Sequence, residues 1–160
     1  MAALCSVAWL ACGAVAAAAS DVIKHLNSGL VFQPTGSAPY QGLQYAAEDR
    51  YSMQFTLVED IREGAEEDTY ILQSSTGYCV DTQTGAFEAD VALSFKPSDR
   101  YCASWKIDPA STASTSICAS GTNLCISSDT IEAMSPSTPV VLKAQELRGS
   151  GPKFSLPSTP

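Results

Sequence analysis

Between Tyr70 and Pro109 the chain reads YILQSSTGYCVDTQTGAFEADVALSFKPSDRYCASWKIDP, and the same unit is written once before it and once after it. Self-similarity at a period of about 40 to 50 residues forces a repeat architecture, because so short a unit cannot bury its own apolar face and must share a core with its copies. Val22 to Val31 lies over Tyr70 to Cys79 and over Ser116 to Cys125 without a gap, as an apolar start, a Ser/Asn/Gly turn and a second apolar pair. Further on, Leu43-Gln44-Tyr45, Val91-Ala92-Leu93 and Val140-Val141-Leu142 take one place. Each copy closes on an aromatic followed two residues later by an aliphatic: Phe55 and Leu57, Trp105 and Ile107, Phe154 and Leu156. Short alternating runs bounded by Gly, Ser, Asn and Pro are the pattern of half-buried strands. The sequence therefore predicts four short strands in each unit and twelve in all.

Three four-stranded units around one core resemble the β-trefoil, and the expected fold class is all-β, a β-trefoil of three repeats preceded by an N-terminal apolar segment. A generic β-sandwich is the alternative, since regularly spaced short strands serve either fold. The repeats run at about residues 21–60, 69–109 and 116–157, within one domain over 21–160. A chain of 160 residues buries about 70% of its unfolded surface and needs no staple to fold. The β2–β3 connection of the first unit, Gln33 to Tyr40, is rich in turn residues, and Ala110 to Thr115 forms a small polar connection after the second.

The formal net charge is −8, which argues against nucleic-acid phosphate or an anionic membrane surface as partner. The acids concentrate in Glu59 to Asp68, between the first and second units, where a solvated loop is the plain reading and a cation or a basic partner the sharper one. Residues 1–20 carry no charged side chain and end in Ala-Ala-Ala-Ser before Asp21, which reads as a secretory signal peptide cleaved near Ala19 or Ser20. The absence of Lys and Arg from its start leaves a retained membrane helix as the other reading. Localisation is accordingly secreted or extracytoplasmic, with a single membrane tether as the alternative.

Beyond Cys5 and Cys12 in the leader, the domain holds Cys79, Cys102, Cys118 and Cys125, an even set that in an exported chain predicts two disulfides. Cys118 and Cys125 flank a turn between adjacent strands and pair first, leaving Cys79 with Cys102. The competing pairing is Cys102 with Cys118. A zinc site is disfavoured, because no close C-x₂-C pair exists and the one histidine, His25, is remote. No cofactor or metal is implied.

Gly77-Tyr78-Cys79-Val80-Asp81, followed by Val91-Ala92-Leu93 and Ser104-Trp105-Lys106-Ile107, resembles the repeat of the ricin B-type lectins, in which a Gly-x-Cys-Leu-Asp run, an apolar third strand and a Gln-x-Trp close each subdomain. The pattern spans all three units, and the second carries the motif in recognisable form. The resemblance implies a sugar site in which Asp81 accepts hydrogen bonds from two hydroxyls and Phe95 stacks on the sugar's apolar face. A carboxylate accepts bidentately, and an aromatic face offers apolar area to pyranose C–H groups. The Gln of Gln-x-Trp is replaced by Ala103. Units 1 and 3 depart further, with Gln33 and Ser127 at the position of Asp81, and with Phe55 and Phe154 at that of Trp105. The plain alternative for Asp81 is a turn residue capping backbone amides, and for Trp105 a core residue.

Enzyme chemistry has little to build on. A Ser-His-Asp arrangement would need His25 as its base, and neither a Gly-x-Ser-x-Gly elbow nor a Gly-rich phosphate loop is present. Asp81, Asp90 and Asp99 are candidates for a paired-carboxylate glycosidase, although their spacing does not demand it. The expected function is non-enzymatic binding of a glycan or glycoprotein by an exported domain, through the second repeat. The alternatives are a structural or accessory subunit bound to other protein subunits, tethered if residues 1–20 are retained, and a trefoil protease inhibitor presenting Ala110 to Thr115 or Gln33 to Tyr40.

Overall fold

The computed structural model describes residues 22–37, 39–98, 101–128, 134–145 and 151–157. The apolar segment 1–20, Asp99 and the tail 158–160 lie outside them. Strand β3 (Leu43–Ala46) shows how the sequence makes its elements: Leu43 and Tyr45 point into the core while Gln44 and Ala46 are half-buried, a period of two that only an extended chain satisfies. Twelve such strands occur among the described residues. The first repeat supplies β1 (Lys24–His25), β2 (Val31–Pro34), β3 and β4 (Phe55–Glu59). The second supplies β5 (Thr69–Ser74), β6 (Tyr78–Thr82), β7 (Leu93–Pro97) and β8 (Trp105–Lys106). The third supplies β9 (Cys118–Ala119), β10 (Leu124–Ser128), β11 (Val140–Ala144) and β12 (Phe154–Ser155).

First and fourth strands pair around a ring, β12 with β1, β4 with β5, β5 with β8 and β8 with β9, and the bridge Thr115–Phe154 continues it. Second and third strands form the antiparallel hairpins β2–β3, β6–β7 and β10–β11. The hairpins meet through the bridges Gly42–Ser94, Ala92–Val141 and Gln44–Pro139. One hydrogen-bond pattern recurs at each meeting point: Tyr40 N donates to Phe95 O, Asp90 N to Leu142 O and Ser137 N to Tyr45 O, all at 2.7 Å. The three donors share a left-handed backbone, with φ of 65°, 66° and 73°. This is the β-trefoil, and its threefold symmetry reaches down to single backbone torsions.

Phe55, Trp105 and Phe154 lie fully buried at equivalent places, with Leu57, Ile107 and Leu156 beneath them. Volume is balanced between layers. Trp105 exceeds its phenylalanine counterparts, whereas Phe32 is larger than Val80 and Ile126 at the next equivalent position, and its ring meets those of Tyr45, Phe55 and Phe154 at 5.6, 6.4 and 5.5 Å. Their buried polar tips are satisfied. Trp105 Nε1 donates to Val80 O at 3.1 Å and the Tyr45 hydroxyl to Ser127 O at 3.1 Å.

Two details of the repeat alignment are corrected. In repeat 2, Gln73 pairs with Cys79, whereas Lys24 pairs with Val31 and Cys118 with Cys125, so its first turn is one residue shorter. Leu72, fully buried, and not Ile71, therefore matches Ile23 and Ile117. The connection before the third strand of repeat 2 is two residues longer than that of repeat 1, since Thr82 pairs with Leu93 and Pro34 with Leu43. Leu93-Ser94-Phe95, and not Val91-Ala92-Leu93, matches Leu43-Gln44-Tyr45. The connection Ala110 to Thr115 begins in a 3-10 turn over Pro109–Ser111, capped by the Asp108 side chain, which accepts from Ala110 N.

Candidate functional site

Asp81 sits on β6 between two buried neighbours, Val80 and Thr82, and is itself only 5% exposed. Its Oδ1 accepts from Thr82 N at 2.6 Å, and its Oδ2 lies 3.2 Å from the Nζ of Lys96 on β7. Backbone capping and an ion pair therefore both act on this carboxylate. Directly across the hairpin is Ser94, whose buried hydroxyl has no hydrogen-bond partner among the described residues. Phe95 does not join the site. Its ring is 2% exposed in the core, stacked on Phe55 with centroids 6.1 Å apart, so it offers no face to a ligand. The two-residue shift of the third strand is the cause: Phe95 opposes Val80 as Tyr45 opposes Phe32, both inward-facing pairs.

A second polar cluster forms around Asp60. Asp60, just past β4, accepts from Arg62 Nε and Nη2 at 2.7 and 2.6 Å and from Arg62 N at 3.2 Å. The Ser104 hydroxyl donates to Asp60 and accepts from Arg62 Nη2 at 2.7 Å. The guanidinium hydrogen bonds, with those from Ser104 and the Arg62 backbone, outweigh burial and hold the Asp60 carboxyl far below the usual carboxylate range. Asp60 in turn raises the Arg62 pKa, chiefly by its hydrogen bonds, and Asp81 and Tyr101 add to it through their charges. The fork-on-carboxylate geometry keeps Arg62 in one place. Tyr101 itself is 89% exposed.

The disulfides Cys79–Cys102 and Cys118–Cys125 both form, and the alternative Cys102–Cys118 does not. Cys79–Cys102 fastens the segment after Tyr101 to β6, while Cys118–Cys125 joins directly paired residues of β9 and β10. His25 lies apart from the cluster. Its Nδ1 accepts from Ser28 N at 3.2 Å, and burial lowers its pKa, so the ring is neutral at pH 7. Asp90 pairs with Lys143 on β11. No group of His, Cys, Asp and Glu among the described residues is arranged to hold a metal ion, and no described helix is long and apolar enough to cross a membrane. A groove of about 910 Å³ lies elsewhere, between repeats 2 and 3, lined in part by Glu66, Asp68, Lys106 and Lys153.

Lys96, as the partner of Asp81, and the Asp60–Arg62–Ser104 cluster are what the sequence reading missed. Arg62 carried a signal, as the one basic residue in the acidic run from Glu59 to Asp68. Asp81 and Lys96 share the β6–β7 hairpin, whereas Asp60, Arg62 and Ser104 join the linker before β5 to the segment before β8.

No protein-family model matches the sequence, and no curated protein does. Solved structures do match. A designed threefold-symmetric protein, ThreeFoil, superimposes with a TM-score of 0.69 at 11% identity, covering 86% of this chain and 96% of the other. A ricin B-like lectin of Macrolepiota procera, solved in complex with lactose, gives 0.65 at 18% identity, covering 87% and 94%. The cytolethal distending toxin of Haemophilus ducreyi gives 0.56 at 11% identity, covering 86% and 82%. Together with the strand order and the threefold hydrogen-bond pattern, these likenesses establish the architecture: the chain is a β-trefoil with the ricin B-like fold.

Proposed function

We propose that the chain is a non-enzymatic carbohydrate-binding domain of an extracytoplasmic protein, with its site on the second repeat around Asp81. The observation that carries this reading is the pairing of Asp81 with Lys96 on the β6–β7 hairpin of a fold shared with a lectin solved with lactose. Sugar hydroxyls both donate and accept. Asp81 accepts and Lys96 donates, and charge-assisted bonds of this kind are roughly twice as strong as neutral ones. Two disulfides in one domain support an oxidising destination, and residues 1–20 supply the export signal in this reading. Binding of the full chain to a broad glycan array, beside Asp81→Asn, tests it. Selective binding that falls about ten-fold or more in the variant is expected, with a cooperative thermal melt of each showing that both are folded.

A second reading rests on the burial of Asp81. A carboxylate already satisfied by Thr82 N and Lys96 serves the hairpin as a fastener, and the trefoil is then an accessory subunit that packs on other proteins. A folded chain that binds no glycan but co-purifies with a stoichiometric protein partner would support this second reading.

A further inference from the structure

Corrected for register, the third and fourth strands of repeats 1 and 2 align without a gap from Leu43 and Leu93 to Leu57 and Ile107. Over that stretch the two repeats are identical at the leading Leu and at one contiguous triplet, Asp49-Arg50-Tyr51 and Asp99-Arg100-Tyr101. Repeat 3 contains no tyrosine. Packing does not explain the shared ring, because Tyr51 is 72% exposed and Tyr101 89%. Neither ring is spent on the core, so both present an aromatic face at equivalent places of two diverged repeats.

Both tyrosines are held in place from the second strand of their own repeat. In repeat 1, Gln33 stands where Asp81 stands in repeat 2, donates from Nε2 to Tyr51 O at 3.4 Å and accepts at Oε1 from Met53 N at 3.2 Å. Asp49 Oδ1 accepts from Tyr51 N at 2.8 Å, and the Arg50 guanidinium sits 4.6 Å from the Tyr51 ring centre. In repeat 2 the fastening is covalent, since Cys102 follows Tyr101 and is bonded to Cys79, two residues before Asp81. The backbone at each tyrosine is therefore tethered to the second strand of its own repeat. Restricting the backbone before binding lowers the entropy cost of capture.

We propose that Tyr51 and Tyr101 are the stacking platforms of two equivalent sugar subsites, each taking the apolar C–H face of a pyranose while neighbouring polar groups take its hydroxyls. This rests on the carbohydrate reading and extends it: two subsites and not one, an aromatic four residues before the closing Phe55 or Trp105 and not Phe95 on the third strand, and a third repeat without a platform. Two subsites on one rigid trefoil bind a multivalent glycan surface more tightly than a free sugar.

The test uses the full chain, Tyr51→Ala, Tyr101→Ala, the double substitution, Tyr101→Phe and Asp81→Asn, each read on a glycan array and on a lactose-coated surface. Both rings are exposed, so all tyrosine variants are expected to melt within about 2 °C of the wild type. For free oligosaccharide, each alanine variant weakens its own subsite about three- to ten-fold and Tyr101→Phe changes little. On a dense glycan surface either single alanine variant loses more than about ten-fold, because avidity collapses, and the double variant does not bind. Wild-type binding that survives the double substitution but is lost in Asp81→Asn overturns the platforms and leaves the carbohydrate reading standing. A folded wild type that binds no glycan overturns both.

Discussion

Arg62 stands in a run of acids, and its guanidinium changes what one of them does. The neighbouring acids between Glu63 and Asp68 are exposed, whereas Asp60 is buried and holds three hydrogen bonds from Arg62. Asp60→Asn is expected to cost about 1 to 2 kcal/mol in urea unfolding at pH 7, a range kept low because Arg62 is partly exposed. The pH dependence has a definite sign. The folded carboxyl ionises well below its unfolded value of about 3.9, so the difference between wild type and variant is full at pH 5 and 7 and shrinks only as pH falls below about 4. His25 acts in the opposite direction. Burial lowers its folded pKa below about 6.5, the unfolded chain binds the proton first, and stability falls as pH drops through that value. The chain has one histidine, so a His25→Gln variant is expected to flatten the stability profile between pH 7.5 and 5.5, as followed by denaturant midpoints. Asp81 was legible as a polar residue at a defined place on the second strand. Its partner was not, because Lys96 reaches it across a hairpin, and such a meeting leaves no periodic trace.

Among the elements, the three hairpin connections carry the symmetry. Tyr40, Asp90 and Ser137 are left-handed at equivalent points, each donating the bond that joins one repeat to the next. Left-handed backbone costs a β-branched residue most. Asp90→Val is therefore expected to lower stability by about 1 to 2 kcal/mol, while Asp90→Gly stays within about 0.5 kcal/mol, since relieved strain and added chain entropy oppose each other. Thermal melts of the pair check this. The disulfides separate on the same scale. Cys79–Cys102 closes a span of 23 residues and Cys118–Cys125 one of 7, so loop-closure entropy gives about 3 against about 2 kcal/mol, and replacing the first pair by alanines is the costlier change. Strand number and class were readable because alternation and turn residues are local. Register inside repeat 2 was not, because a turn one residue shorter and a connection two residues longer are invisible without the partner strand. That slip moved Phe95 from the core to the rim on paper, and it hid the alignment that brings Tyr51 over Tyr101.

For the whole molecule, threefold repetition lets diverged units keep one core: Trp105 is large where Phe55 and Phe154 are smaller, and Phe32 is large where Val80 and Ile126 are smaller. Such compensation explains how the fold persists at 11 to 18% identity to its structural neighbours. The sites need no such equivalence, and repeat 3, without a tyrosine and with Ser127 at the place of Asp81, has drifted furthest. The export proposed for the chain makes a separate prediction: the native protein is expected to begin near Asp21 and to weigh four hydrogens less than its reduced form, by intact mass. The measurement that bears most directly on the central claim is a titration of the isotope-labelled chain with the tightest glycan from the array, followed by amide NMR. The account predicts shifts at Asp81, Lys96 and Tyr101, with a second set at Gln33 and Tyr51. A glycan that instead moves the groove between Lys106 and Lys153 while leaving these residues still, or a folded chain that meets no glycan at all, would contradict it.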